Sequence, residues 1–565
     1  MLPSRRHAAA LLAALLSACS LLSQSKEVAE LAAQGESRAL DARPRGPRTA
    51  DTERRPDLLI VAIDGVDRDL LYRMLRAGKL PGLASLLGVR GGRFPHAHFD
   101  DRLLTTLPSN TFTAWAALFT ARPPAESGIP SNEFFIRDKG QFAAPGPVST
   151  SDATPAMKSY TEDYADDLLT APTIYQQIRQ VDPGVRIWIS MSQFHRGADR
   201  LLTARRSVLA DAFRVFLDSS LTGQDDGDRM EKYATLDREV LATLTSAIGD
   251  LDRGEPLPDV VTVYLSGTDL FAHVAEAGPD RARRRYLTQV VDPGLVRLHA
   301  ALARRGGLDH RYVVVISDHG HTAVLSDEQH ALGSRDDGEG PRDVLEAAGF
   351  RVRPAGWKID DKSFQSVIAY GGAFAFVYLA DRSTCAAEAS ECDFRHPPRY
   401  DEDVLPVAEA FFRSAQGAGP VPALRGTLDL VLVRRGTEGP FQVYLGDGKA
   451  EDVARYLARS PRRDYVAVAR RLHALAVGSH GDRAGDILLV TRDGGESDVH
   501  RRYYFSHTYR SWHGSPSRQD SEIPFILAHP DKSRRELTAA ADRVLGDAPS
   551  IDRVGRLLVD LRLER

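Results

Sequence analysis

Asp57-Leu58-Leu59-Ile60-Val61-Ala62-Ile63-Asp64-Gly65 sets six consecutive apolar residues before a carboxylate and a glycine. A run of that length, aliphatic throughout and closed by polar residues, reads as a strand buried on both faces. Five similar runs recur along the chain: Arg186 to Ile189, Val260 to Leu265, Tyr312 to Ile316, Ile487 to Val490 and Pro524 to Ala528. Between them, helical periodicity is expected over Asp67 to Ala77, Thr111 to Phe119, Thr173 to Gln180, Met230 to Ile248 and Leu287 to Arg304. Buried strands alternating with helices predict an α/β fold, a three-layer sandwich around a mostly parallel central sheet. The span from about 335 to 480 is rich in charge and proline and is expected to be a mixed insertion or cap within one domain covering 56–565. No internal repeat is apparent.

Charge is close to balance, with 73 Lys+Arg against 77 Asp+Glu and a net of −4. That gives no electrostatic reason to expect nucleic-acid binding. The basic run Arg283-Arg284-Arg285 reads as a solvated helix face. At the N-terminus, Arg5 and Arg6 precede an apolar stretch from Ala8 to Leu16, too short to span a bilayer. It ends in Leu16-Ser17-Ala18-Cys19, which resembles the bacterial lipoprotein box. Residues 1–19 are therefore expected to be a lipoprotein signal peptide and 20–55 a flexible tether. The protein would then be lipid-anchored to a membrane of the bacterial cell envelope, facing the periplasm. Outside the cytoplasm, Cys385 and Cys392 would pair locally as a disulfide.

Potential metal ligands sit just past the ends of the strands, where open α/β sheets place their sites. Asp64 follows the first run; Asp318-His319-Gly320 follows Tyr312 to Ile316; Asp269 follows Val260 to Leu265. His273 lies four residues beyond Asp269, on the same face of a helical turn. His513, in Trp512-His513-Gly514-Ser515, precedes the last run. Each has an ordinary reading alone: a helix cap, a turn former, a solvent-facing imidazole. Together they provide three carboxylates and three imidazoles, enough for two divalent ions, most simply zinc.

The stretch Leu104-Thr-Thr-Leu-Pro-Ser-Asn-Thr111, with Thr120 nine residues on and Gly128-Ile129 beyond, resembles the nucleophile segment of the type I phosphodiesterase/nucleotide pyrophosphatase branch of the alkaline phosphatase superfamily. The resemblance implies an alkaline phosphatase-like fold and a phosphohydrolase acting through a phosphothreonine at Thr111; read as a residue alone, Thr111 is expected to cap its helix. It implies one zinc held by Asp64, Asp318, His319 and Thr111, and a second by Asp269, His273 and His513. His480 is the rival to His513. Asn132 falls where the family places a phosphate-contacting Asn, acting there with the Thr111 amide. The implied partner is a small phosphorylated substrate, a diester or a nucleotide.

The monoesterase branch carries a Lys-x-Arg pair where this chain has Ser190-Met-Ser-Gln-Phe-His195-Arg196. That departure favours diesters, unless His195 or Arg196 substitutes. A sulfatase is disfavoured because its Cys-x-Pro-x-Arg pattern is missing, and a cofactor-independent phosphoglycerate mutase because it uses Ser and works in the cytosol. The alternatives kept are a phosphomonoesterase and a non-catalytic, metal-stabilised envelope lipoprotein. Cys19→Ala is expected to abolish incorporation of radiolabelled palmitate and to release the protein from the membrane fraction; a labelled, membrane-bound variant would refute the anchor.

Overall fold

The structure is a computed structural model that describes residues 55–150, 152–217, 225–252, 254–335, 339–385, 392–462, 464–493 and 495–563. The expected leader and all of the tether but Arg55 lie outside these residues. Seven strands form the central sheet: β1 (Asp57–Ile63), β2 (Ala97–Asp100), β3 (Ile187–Ser190), β4 (Arg200–Leu202), β5 (Val260–Leu265), β6 (Arg311–Ile316) and β7 (Phe525–Ala528). Their order is β2-β7-β6-β1-β5-β3-β4. The four pairings from β6 to β4 are parallel, and β7 runs antiparallel to both β6 and β2. β1 is central, with Leu59 opposite Val261 on one side and Val313 on the other. Every residue of β5 and β6, and all of β1 after Asp57, is buried. Unbroken apolar runs therefore mark these strands.

Helices cover both faces of the sheet. Those used below are α1 (Arg68–Arg76), α2 (Thr111–Thr120), α3 (Arg206–Leu217), α4 (Asp226–Gly249), α5 (Gly267–Val274) and α6 (Ile551–Leu563). α4 packs on β3 and β5, while α6 packs on β1 and α2. The expected helix from Leu287 to Arg304 forms, with a π-helical turn at Leu287–Val291 that runs on without interruption into Asp292–Ala303. Pro293 has no amide hydrogen to donate and sits just past the π-turn, the kind of place where a helix departs from regular bonding. Among the described residues no helix is long and apolar enough to cross a membrane.

A second sheet of six strands is antiparallel throughout, in the order Ser366–Gly371, Phe374–Leu379, Ile487–Thr491, Leu428–Val433, Gln442–Gly446 and Lys449–Asp452. The apolar run beginning at Ile487 thus belongs here and not to the central sheet. Cys385 and Cys392 are joined by a disulfide. The corner between the first two strands is Gly371-Gly372, and it presses on the central domain. Asn110 Nδ2 donates to the Gly371 carbonyl at 3.3 Å, and the Ala373 amide donates to the His513 carbonyl at 3.2 Å. Gly372 has φ +71°, and a Cβ there would collide with the Trp512 indole and the His513 carbonyl.

All ten residues of α2 are buried, and Gly555 lets α6 cross it closely. A Cβ on Gly555 would run into the Leu118 carbonyl oxygen and stand 3.0 Å from Ala121 Cα. Gly555→Ala should destabilise the protein by about 2 kcal/mol through overpacking, read as a lower denaturant midpoint. An unchanged midpoint would mean that the two helices can part without cost.

Candidate metal centre

The polar turns at the carboxyl ends of β1, β5 and β6 meet on one side of the sheet. Asp64 leaves β1 into a tight turn at Gly65, whose φ is +72°. Arg283 secures that turn from behind: it is fully buried and donates to the Gly65 carbonyl at 3.3 Å and to Asp67 Oδ2 at 2.9 Å. The expectation that Arg283 lies on a solvated face is therefore wrong; Arg284 and Arg285 are exposed, but Arg283 points inward because its partners lie beneath the helix. The Gly65 amide donates to Asp318 Oδ1 at 3.1 Å, tying the β1 and β6 turns together.

Thr111 stands at the first position of α2. The expectation that it caps that helix is not met: Asn110 holds the cap position, and Thr111 already has helical geometry. The Thr111 Oγ1 instead lies 3.1 Å from His319 Nε2. A distant residue takes over the capping: Asn132 Oδ1 accepts from the Phe112 amide at 3.0 Å. That bond leaves the Asn132 Nδ2 donor for the cavity which Asn132 lines.

Around His319 Nε2 lie Thr111 Oγ1, Asp318 Oδ2 at 3.3 Å and Asp64 Oδ1 at 3.4 Å. Asp64 Oδ1 and Asp318 Oδ2 are buried and have no hydrogen-bond donor. Their sister oxygens are engaged: Asp64 Oδ2 accepts from the Tyr264 hydroxyl and Asp318 Oδ1 from the Gly65 amide. A second set forms on α5, where Asp269 and His273 share a face. Asp269 Oδ1 lies 3.4 Å from His273 Nε2 and 3.8 Å from His513 Nε2. Within each set, Asp64–Asp318–His319 and Asp269–His273–His513, the ligand atoms lie within 4.8 Å of one another.

The three imidazoles are oriented alike. His319 Nδ1 lies 3.0 Å from the Gly320 carbonyl, His273 Nδ1 2.8 Å from the Ser511 carbonyl and His513 Nδ1 2.9 Å from the Ser109 carbonyl. A carbonyl only accepts, so each Nδ1 carries the hydrogen and each Nε2 presents its lone pair to the centre. The His319 and His513 rings stack with centroids 3.6 Å apart.

Protonation follows from crowding. Burial, with Asp318 and Asp269 beside it, pushes Asp64 well above the usual carboxylate range. Burial next to Asp269 raises Asp318 to about 7. Burial would also raise Asp269, but His273 and His321 outweigh it and hold that carboxyl well below its ordinary value. Burial lowers His513 to about 4 and His319 well below its ordinary range, keeping both neutral. Orphaned carboxylate oxygens facing neutral imidazole lone pairs suit divalent cations.

Every expected ligand is brought together. His480 is not: its amide bonds the Ala125 carbonyl, and it joins none of the ligand groups. Two residues escape the sequence reading. Tyr264, which with Thr262 is one of two hydroxyl residues in β5, secures Asp64; a hydroxyl inside a fully buried strand needs a partner. His321, two residues after His319, places Nε2 2.7 Å from Asp269 Oδ1 and Nδ1 3.1 Å from Ser511 Oγ. Its signal is a second imidazole in the same strand-end turn. A further acidic group, Asp163–Asp166–His195, is a capping arrangement: Asp166 Oδ2 accepts from the amides of His195 and Arg196.

A model of the type I phosphodiesterase / nucleotide pyrophosphatase family matches residues 58–383, more than half of the 565-residue chain. An uncharacterized pyrophosphatase/phosphodiesterase of Schizosaccharomyces pombe is 25% identical over 271 residues, 46% of this chain and 44% of that protein. The chain thus matches under half the length of this curated relative. Among solved structures, murine ectonucleotide pyrophosphatase/phosphodiesterase 5 is similar at 13% identity and a TM-score of 0.45, over 90% of this chain and 95% of that one. An inactive variant of the murine protein in complex with AMP is similar to the same extent. His321→Ala is expected to weaken divalent-metal affinity roughly tenfold or more, as loss of a partner to a ligand does. Chelator competition measures it, and unaltered affinity would make the Asp269 contact incidental.

Proposed function

We propose, for a chain that belongs to the type I phosphodiesterase / nucleotide pyrophosphatase family, a metal-dependent hydrolase that cleaves phosphodiester or nucleotide pyrophosphate bonds through a phosphothreonine at Thr111. The observation that carries this reading is the placement of Thr111 Oγ1 at the start of a helix, 3.1 Å from an imidazole and beside two orphaned carboxylate oxygens. Asp64, Asp318, His319 and Thr111 would hold one ion, and Asp269, His273 and His513 the other; the mixed imidazole and carboxylate donors suit zinc. Bound there, the ions would supply Lewis acidity and bring the threonine hydroxyl towards its alkoxide at neutral pH.

The chain's own groups do the rest. Thr111 Oγ1, its proton given up to solvent, forms a bond to phosphorus as the ester P–O bond opposite it breaks; the departing oxygen takes that electron pair and is protonated from solvent. The Thr111 amide, at a helix N-terminus, and Asn132 Nδ2 bind the non-bridging oxygens, where charge accumulates. Water then attacks phosphorus, releasing a phosphomonoester and restoring the Thr111 hydroxyl. The Nδ1-to-carbonyl bonds hold the three imidazoles in place, so little reorganisation accompanies either displacement.

A phosphomonoesterase is disfavoured by what His195 and Arg196 touch. His195 is buried, with Nε2 3.2 Å from Asp163, and Arg196 donates to the Ala171 carbonyl. Neither lines the cavity over the ligand groups, so neither replaces the cationic pair a dianionic monoester would use. A purely structural metal site is disfavoured because Thr111 and all six Asp and His ligands are present. From the leader sequence we place the protein in the bacterial envelope, anchored by lipid at Cys19. Zinc-loaded protein should turn over bis-p-nitrophenyl phosphate faster than p-nitrophenyl phosphate. Thr111→Ala should lower that turnover by roughly a thousandfold or more while metal content persists. Full activity in this variant would remove Thr111 from the reaction, and inactivity of the loaded wild type on both esters would favour the structural-site alternative.

A further inference from the structure

Glu133, the residue after Asn132, is wholly buried yet does not line the cavity over the ligand groups. From Glu133 the chain enters the hairpin of Phe134–Ile136 and Gln141–Ala143, and residues 144–149 then bring it back beside Asn132. There the Gly146 amide donates to the Asn132 carbonyl at 3.2 Å. The approach is close: a Cβ on Gly146 would stand 3.0 Å from the Phe112 ring and 3.2 Å from Asn132 Cγ. Gly146 and Pro147 line the cavity together with Thr111 and Asn132. The returning loop is thus one side of the space around the Asn132 amide.

Glu133 holds that loop. Its Oε1 accepts from the Val148 amide at 2.7 Å and from the Ser149 amide at 2.8 Å, and its Oε2 accepts from the Ser149 hydroxyl at 2.6 Å. The backbone of Tyr370, in the strand Ser366–Gly371 of the antiparallel sheet, is a further hydrogen-bond partner. A carboxylate taken out of water is unfavourable unless such bonds compensate it. Burial pushes the Glu133 carboxyl above its ordinary value even so. Bonds to a charged acceptor are shorter and roughly twice as strong as neutral ones, so they fix geometry closely. We propose that Glu133 is a positioning residue: by clamping residues 148 and 149 it holds Gly146 against Asn132 and Phe112, and so sets the direction of the Asn132 Nδ2 donor. Glu133 touches no reacting atom and acts only through Asn132. The proposal rests on the phosphodiesterase reading above, in which that donor binds a non-bridging phosphate oxygen.

The test is a double-mutant cycle on the zinc-loaded full-length protein with bis-p-nitrophenyl phosphate. Asn132→Ala should lower kcat/KM roughly a hundredfold, as loss of one oxyanion donor does. Glu133→Ala should lower it roughly tenfold or more by misplacing that donor. Glu133→Gln, whose carbonyl can still accept from both amides, should recover most of that loss. In the Asn132→Ala background, Glu133→Ala should reduce kcat/KM by less than about twofold further, because the group it acts through is gone. Ser149→Ala, which deletes one hydroxyl, gives the same cycle with a smaller loss and less disturbance to folding. Zinc content should match the wild type in every variant, and peptide hydrogen exchange in Glu133→Ala should quicken over residues 144–150. Full additivity in both cycles, an Asn132→Ala variant as active as the wild type, or zinc lost in Glu133→Ala and Ser149→Ala alike would overturn the proposal while the phosphodiesterase reading stands. An inactive wild type would end both.

Discussion

Three carboxylates, Asp64, Asp269 and Asp318, are buried together with no cationic side chain lining their cavity among the described residues. Like charges this close in a low-dielectric setting cannot all remain ionised unaided, and the raised Asp64 and Asp318 register that strain. Much of the local architecture serves to hold this unfavourable grouping in place. Arg283 and the Gly65 amide secure the turns, the Tyr264 hydroxyl takes one Asp64 oxygen, and three backbone carbonyls fix the imidazoles. Such a cluster is stable when cations complete it, which ties the fold to its metal content.

The same arrangement explains how much of the molecule is legible in its amino-acid order. β1, β5 and β6 are buried on both faces, so their sequences are continuous aliphatic runs, and the first polar residues after them must fall at one edge of the sheet. That is why Asp64, Asp269 and Asp318 stand out. His513 stands out as an imidazole just before the last apolar run, while Thr111 comes into view through a family pattern. What escapes is non-local. The capping of α2 is done by Asn132 from across the cavity, so helix rules misjudge Thr111. Arg283 looks like surface because its partners, Gly65 and Asp67, are more than two hundred residues earlier. The run at Ile487 is sound as a strand, but nothing in an aliphatic run tells which sheet it will join.

The two sheets divide the work. The parallel sheet brings Asp64, Asp269 and Asp318 from its strand ends, and α2, lying beneath α6, brings Thr111. The antiparallel sheet supplies no ligand, yet it meets the residue before Thr111 and the carbonyl of His513 through a single corner. Asn110 therefore answers to both bodies: its main chain begins α2 and its side chain bonds the Gly371 carbonyl.

That corner restricts how the molecule can be re-engineered or can drift. Gly371 and Gly372 sit where any side chain would strike Asn110, Ser131, Trp512 or His513. The outer strands at Gln442–Gly446 and Lys449–Asp452 have more room to be rebuilt or lengthened, whereas Leu379 and Asp486 are held by the buried Arg137 and have little. Loop lengths and outer surfaces would be free to vary; the tip that meets Asn110, Trp512 and His513 would not.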